Sequence, residues 1–190
     1  MNRPFLEAVE NSPVIAAVRD EKTLSLSLES DVGIVFLLGF DLISLPEMTE
    51  RVKNAGKMPV VHLDLVAGLS PREEAVRYLK EKTTAQGIIT TKPNLILCAQ
   101  HMGLGTIQRV FMLDGMALGT LTQQKKYGPH PDLVEILPGV LDARVLKRIG
   151  ALLDVPFICG GLIHEKEDVV NALSSGALAV SASSPAVWKM

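Results

Sequence analysis

Eight short apolar runs, none longer than seven residues, are spaced along the chain: Val14 to Val18, Ile34 to Leu38, Pro59 to Leu63, Gly87 to Thr90, Ile107 to Leu113, Leu133 to Leu137, Pro156 to Cys159 and Ala177 to Ser181. Each has the length of a buried strand, and the stretches between them carry helical periodicity. The pattern is strand then helix, eight times over. No hairpin signal joins neighbouring runs, so the strands are expected to lie parallel through right-handed crossovers. Eight such units close a barrel, and the fold class expected is α/β, a small (β/α)8 TIM-type barrel. The 190 residues make a single domain over 1–190 with minimal loops, since barrels of this class usually need about 200 residues or more. An open doubly wound sheet would need a long crossover, and no stretch supplies one.

Helix punctuation supports the register. Ser44-Leu45-Pro46-Glu47 and Ser70-Pro71-Arg72-Glu73 both read as capping boxes with an early proline, and so predict two helix starts. Gly56, Gly103, Gly128, Gly150 and Gly176 each follow a helical stretch and precede a strand, where a left-handed cap belongs.

Strand side chains alternate, and the face packed on the helices must be apolar, so the polar members point into the barrel. That rule turns His62 and Asp64 inward on the third strand, Arg109 on the fifth and Glu135 on the sixth. It also places Arg19 at the end of the first strand, Thr90 at the end of the fourth and Ser181 on the eighth. Two arginines, an aspartate and a glutamate in one interior must pair, because an isolated buried charge is prohibitively costly. Such a network makes a polar pocket, with Asp114, Gly139 and Lys92 near its rim.

In barrels of this kind the loops after strands seven and eight commonly hold a phosphate. Gly160 and Gly161 end the seventh strand and would let backbone N–H groups approach an anion without a Cβ in the way. Ser181, Ser183 and Ser184 would add donors from the eighth. Outside a barrel, the paired glycines would simply turn a tight loop.

Composition limits the remaining roles. Net charge is −2, with 19 Lys and Arg against 21 Asp and Glu, so the chain is not a general polyanion binder and a nucleic acid would need a local patch. Lys125 and Lys126, with Arg144, Lys147 and Arg148, are the candidates for one, although they read most simply as solvated helix faces. No apolar run approaches the roughly 18 residues of a membrane span, and Met1 to Glu10 has no apolar core of a secretory signal. Cys98 and Cys159 have no ligand spacing and read as reduced thiols of a cytosolic protein. His62 is the one histidine expected inside, since His101, His130 and His164 fall on helices or loops, so no metal site is expected. Asp64 and Glu135 fit an acid and base pair, a divalent metal site, or partners for Arg19 and Arg109; the ion-pair role ranks first. Lys92 has the chemistry for a Schiff base, but standing before Pro93 it is expected nearer the rim than the interior.

Several stretches resemble one family. His62-Leu63-Asp64-Leu65-Val66-Ala67-Gly68, Gly87-Ile88-Ile89-Thr90-Thr91, Ile107 to Asp114 and Glu135-Ile136-Leu137-Pro138-Gly139 are together similar to the glycerol-3-phosphate-responsive antiterminators. The similarity runs on through Gly160-Gly161 to Trp188 and is weaker over Thr23 to Asp41, onto which nothing functional is carried. The resemblance implies a cytoplasmic bacterial regulator that binds glycerol-3-phosphate as its effector, needs no cofactor, and acts on leader mRNA of glycerol uptake genes to prevent premature termination. It leaves room for a homo-oligomer and implies no membrane partner. The effector's phosphate is then expected on Gly160, Gly161, Ser181 and Ser183, with its hydroxyls against Asp64, Glu135, Arg19 or Arg109. No RNP-like, KH or basic aromatic signature is present to carry the RNA contact.

Fold analogy does not exclude an enzyme. The competing reading is a small barrel isomerase, aldolase or phosphodiesterase acting on a phosphorylated triose or sugar, with Asp64 and Glu135 as acid and base. A third is a phospho-ligand-binding subunit of a larger assembly. Lys92 discriminates, because an aldolase needs that lysine inside the pocket.

Overall fold

A computed structural model describes residues 1–189, with the side chains of residues 120, 124, 125 and 127 outside the described set. Eight parallel strands close in chain order into a barrel: β1 (Val14–Val18), β2 (Ile34–Leu37), β3 (Met58–His62), β4 (Gly87–Thr90), β5 (Gly105–Phe111), β6 (Leu133–Leu137), β7 (Phe157–Gly160) and β8 (Val180–Ala182). β8 pairs back onto β1 through Ile15 and Ser181, which leaves no free sheet edge. The expected TIM-type barrel is what forms, with β1, β4 and β6 as expected and the other strand ends shifted by at most three residues.

The helices depart from eight identical units. α1 (Arg3–Glu10) precedes the first strand, and α2 (Glu21–Leu28), α3 (Leu45–Asn54), α4 (Glu73–Lys82), α5 (Pro93–His101), α6 (Gly115–Tyr127), α7 (Ala143–Leu152) and α8 (Lys166–Ser174) make the seven crossovers. After β8 the described chain has a 3-10 turn, Val187–Lys189, held by the Trp188 indole N–H donating to the Ala182 carbonyl at 2.8 Å. α1 closes the N-terminal end of the barrel. Its Phe5 and Val9 join the interior cluster of Ile15, Ile34, Phe36, Val60, Ile89, Ile107, Leu133 and Ile158. The Phe5 ring occupies the space where a Cβ on Gly105 would stand, and approaches the Cβ position of Gly87 to 2.8 Å. Burying a ring of this size contributes about 1.5–3 kcal/mol.

The two capping boxes do not form. Ser44 makes no side-chain cap; Asp41 instead accepts from the N–H groups of Ile43 and Ser44 at 2.8 and 2.9 Å. Ser70 lies ahead of α4, whose cap position is Arg72. Ser44 already has helical backbone angles, and α4 starts two residues later than the Ser70 spacing requires. Gly56, Gly103 and Gly176 do take positive φ, whereas Gly150 stands inside α7.

The inward set also changes on one strand. Ile89 belongs to the interior cluster and Ile88 to the outer layer between barrel and helices. Thr90 therefore shares the outward face, paired in register with Gln108, and is not a lumen residue as the alternation rule had it. The run Gly87 to Thr90 is too short and too uniformly buried for apolar character to distinguish its two faces.

Candidate functional site

Arg109 and Glu135 face each other in register across β5 and β6, both inside the barrel. Arg109 Nε donates to Glu135 Oε2 at 2.7 Å, and Ser181 Oγ on β8 donates to Oε1 at 2.7 Å. Glu135 is wholly buried, and both of its carboxylate oxygens are engaged, as a buried ion pair requires. Alternation turns all three side chains inward, and the register across β5 to β8, with Gly160 between Glu135 and Ser181, brings them together.

Above them, at the C-terminal mouth, Arg19, Arg109, Gly161, Ser181 and Ser183 line one cavity of about 60 Å³. The end of β1 carries Arg19 there, exposed, and its guanidinium has no hydrogen-bond or ion-pair partner among the described residues. Leu38, Leu137, Leu162 and Ile163 form the apolar part of the wall. Leu38 and Leu137 continue the inward alternation of their strands and were legible in that sense. Leu162 is not, since it depends on a left-handed φ of 63° that no local residue signal announces. Gly161 turns the chain beside it at φ 77°.

The other proposed phosphate residues stand elsewhere. Gly160 does not line the cavity; a Cβ on it would lie 2.6 Å from Glu135 Oε1, so it is small to admit the carboxylate and Ser181. Ser184 also lies off the cavity, its carbonyl accepting from Val187 N–H at 3.0 Å in the final turn. Gly139 brings β6 against β7: its N–H donates to the Gly161 carbonyl at 3.0 Å, and a Cβ would come within 2.9 Å of Gly160 N.

Asp64 does not pair with an arginine. It lies on a 3-10 turn (Leu63–Leu65) after β3, where Oδ1 accepts from Thr90 Oγ1 and Oδ2 from both the N–H and Oγ1 of Thr91, each at 2.7 Å. Burial works against its charge, but the Thr90 and Thr91 donors prevail and hold the carboxyl below its ordinary 3.8. Thr90 thus contributes to the mouth through Asp64 rather than by lining the interior. Asp114 is likewise committed, its Oδ1 capping α6 by accepting from Met116 and Ala117 N–H at 2.9 and 3.2 Å.

His62 lies inside as expected, 2% exposed, and its Nδ1 has no hydrogen-bond partner. Burial first, then the Arg109 guanidinium, bring the imidazole down to about 4, against a smaller opposing pull from Asp64. At neutral pH it is uncharged, so Arg19 and Arg109 are the cations lining the cavity, and Glu135 lies buried behind Arg109. Arg109 is paired and Arg19 is not, so Arg19 is the cation free to meet an anion in the cavity. Cys159 is a buried thiol pushed up to about 12 by burial and by Glu135, and so is unreactive as a nucleophile.

Lys92 is exposed at the start of α5 and donates from Nζ to the Pro71 carbonyl at 3.4 Å, at the rim and away from the cavity. Lys126 on α6 and Arg144, Lys147 and Arg148 on α7 are exposed on the outer helices, while the Lys125 side chain lies outside the described residues. Among the described residues no group of three or more His, Cys, Asp or Glu is placed to hold a metal ion, and no helix is long and apolar enough to cross a membrane.

Comparison with known proteins supplies what geometry does not. The family model described as glycerol-3-phosphate responsive antiterminator matches residues 14–188. An uncharacterized protein of Escherichia coli K12, YgcP, is 34% identical over 187 residues, covering 98% of this chain and 97% of its own. The crystal structure of the glycerol uptake operon antiterminator regulatory protein of Listeria monocytogenes superposes with a TM-score of 0.87 at 31% identity, over 94% of this chain and 95% of that one. A glycerol uptake operon antiterminator-related protein of Thermotoga maritima gives 0.81, also at 31% identity, over 94% and 99%.

Proposed function

The chain belongs to the glycerol-3-phosphate responsive antiterminator family, and from that premise we propose that it is a cytoplasmic regulator which takes up glycerol-3-phosphate at the barrel mouth and acts on leader mRNA of glycerol uptake genes. The observation that carries the reading is the mouth cavity, which two arginines line, Arg109 paired with the buried Glu135 and Arg19 unpaired. The phosphate sits between Arg19 and Arg109, with the Ser183 hydroxyl and the backbone at Gly161 as further donors, the single Ser181 O–H being committed to Glu135. This differs from the expectation that the arginines meet the effector's hydroxyls. A cavity of about 60 Å³ has room for a few water-sized groups, which suits a phosphate and leaves the glycerol end toward the open mouth.

The same geometry favours a sensor over a catalyst. Glu135 is held by two hydrogen bonds and Asp64 by three, and Lys92 stands at the rim, so none of them presents a free base or amine to the cavity. The effector acts through its difference in affinity between two states of the protein, of which one holds RNA better.

Calorimetric titration with glycerol-3-phosphate tests the cavity, using the wild type, Gly161→Trp and Arg19→Ala. Binding by the wild type that is weakened at least about tenfold in both variants supports the placement; unchanged affinity in either overturns it. Filter binding of leader RNA with and without the effector tests the output, and indifference to the effector overturns the regulatory reading.

A further inference from the structure

Charge is distributed very unevenly among the outer helices. α1, α2, α3, α4 and α8 each carry at least one Glu, and α5 carries no Asp, Glu, Lys or Arg. α6 (GMALGTLTQQKKY) and α7 (ARVLKRIGAL) have two and three cations respectively and no carboxylate. The two helices pack side by side in the outer ring. In a chain whose net charge is −2, this is a local basic surface on an otherwise acidic molecule.

The cations of α7 are ordered as well as numerous. Arg144, Lys147 and Arg148 follow one another at i, i+3 and i+4, the spacing of a single helix face. Leu146 and Ile149, both fully buried, occupy the opposite face against the barrel. The basic stripe therefore points straight out. Arg144 meets Asp142 at 3.1 Å, while the exposed Lys147 and Arg148 have no ion-pair partner among the described residues. Ordinary solvated helices mix signs along such a face, as α4 does with Glu73, Glu74, Lys80, Glu81 and Lys82.

We propose that this face of α7, with the adjoining Lys126 end of α6, is the surface that holds the phosphate backbone of RNA. The inference rests on the regulatory reading above for the identity of the polyanion, and on charge alone for its location. It also gives the effector a short path to the surface. β5 and β6, which carry Arg109 and Glu135, run directly into α6 and α7, so a phosphate drawing on Arg109 acts on the two strands that support the basic helices.

The test compares full-length wild type, the double variant Lys147→Glu/Arg148→Glu, and Lys80→Glu/Lys82→Glu on α4 as a charge-matched control. Filter binding of leader RNA is measured across a salt series, with melting midpoints to confirm folding and calorimetry for glycerol-3-phosphate. The α7 variant is expected to lose RNA affinity at least tenfold at 0.1 M salt. Its slope of log affinity against log salt should fall by about 1.4, since each single-strand phosphate contact contributes roughly 0.7. Effector affinity and the control should be unchanged. Lys147→Gln/Arg148→Gln should give a smaller loss in the same direction. Unaltered RNA binding in the α7 variant, equal loss in the control, or no RNA binding by the wild type overturns the proposal. If wild type binds no effector while the α7 variant still loses RNA, the cavity reading fails and the surface stands.

Discussion

Gly160 stands directly against Glu135, so that a Cβ at this glycine would lie 2.6 Å from the carboxylate oxygen that accepts from Ser181. The glycine is thus a condition for the buried Arg109, Glu135 and Ser181 chain. Gly160→Ala should displace that oxygen and destabilise the fold by about 1–3 kcal/mol, the usual cost of overpacking. Urea denaturation measures it, and an alanine variant as stable as the wild type would remove this role.

Arg19 and Arg109 share a cavity but differ in what holds them, and mutation should separate binding from stability. Arg19→Ala removes an exposed, unpaired guanidinium and should change stability by no more than about 0.5 kcal/mol. Its effector affinity should fall roughly 10- to 100-fold, the value of a charged hydrogen bond. Arg109→Met strands the buried Glu135 and should cost about 3–5 kcal/mol in stability. Calorimetry with parallel urea titrations checks both, and equal destabilisation by the two variants would contradict the geometry.

His62 gives the fold an acid sensitivity of definite sign. Unfolded, the imidazole binds a proton below about 6.5; folded, it does not until about 4. Between those values the unfolded state holds more protons, so stability must fall as pH falls from 6.5 toward 4. The loss is on the order of 3 kcal/mol across that window. The hydrogen-bonded carboxyls of Asp20, Asp41 and Asp64 act in the same direction, but below their ordinary 3.8. Urea midpoints of wild type and His62→Gln across this range should diverge in slope, with the variant flatter; parallel slopes would assign the acid response elsewhere.

Phe5 is a test of the N-terminal helix as part of the barrel. Phe5→Ala empties the space beneath Gly87 and Gly105 and should cost about 3–5 kcal/mol, as for a buried aromatic in a core that collapses poorly. Thermal or urea unfolding measures it, and a loss under about 1 kcal/mol would mean that α1 only lies on the surface.

Strand count, the parallel barrel and most of the inward side chains are legible in the residue pattern. Alternation is a local consequence of strand geometry, so Arg109, Glu135 and Ser181 could be placed without knowing their neighbours. Where a strand is short and apolar on both faces that rule loses its grip, and Thr90 went to the wrong side. Which polar groups share a partner depends on contacts between distant strands and loops. Alternation sends both Asp64 and Arg19 to the interior, yet a turn after β3 gives Asp64 to Thr90 and Thr91, and Arg19 stands open at the mouth. Gly160 and Gly161 are adjacent in the chain and look equivalent there. Gly160 faces a buried carboxylate and Gly161 an open cavity, because distances across a closed barrel depend on strands far apart in sequence.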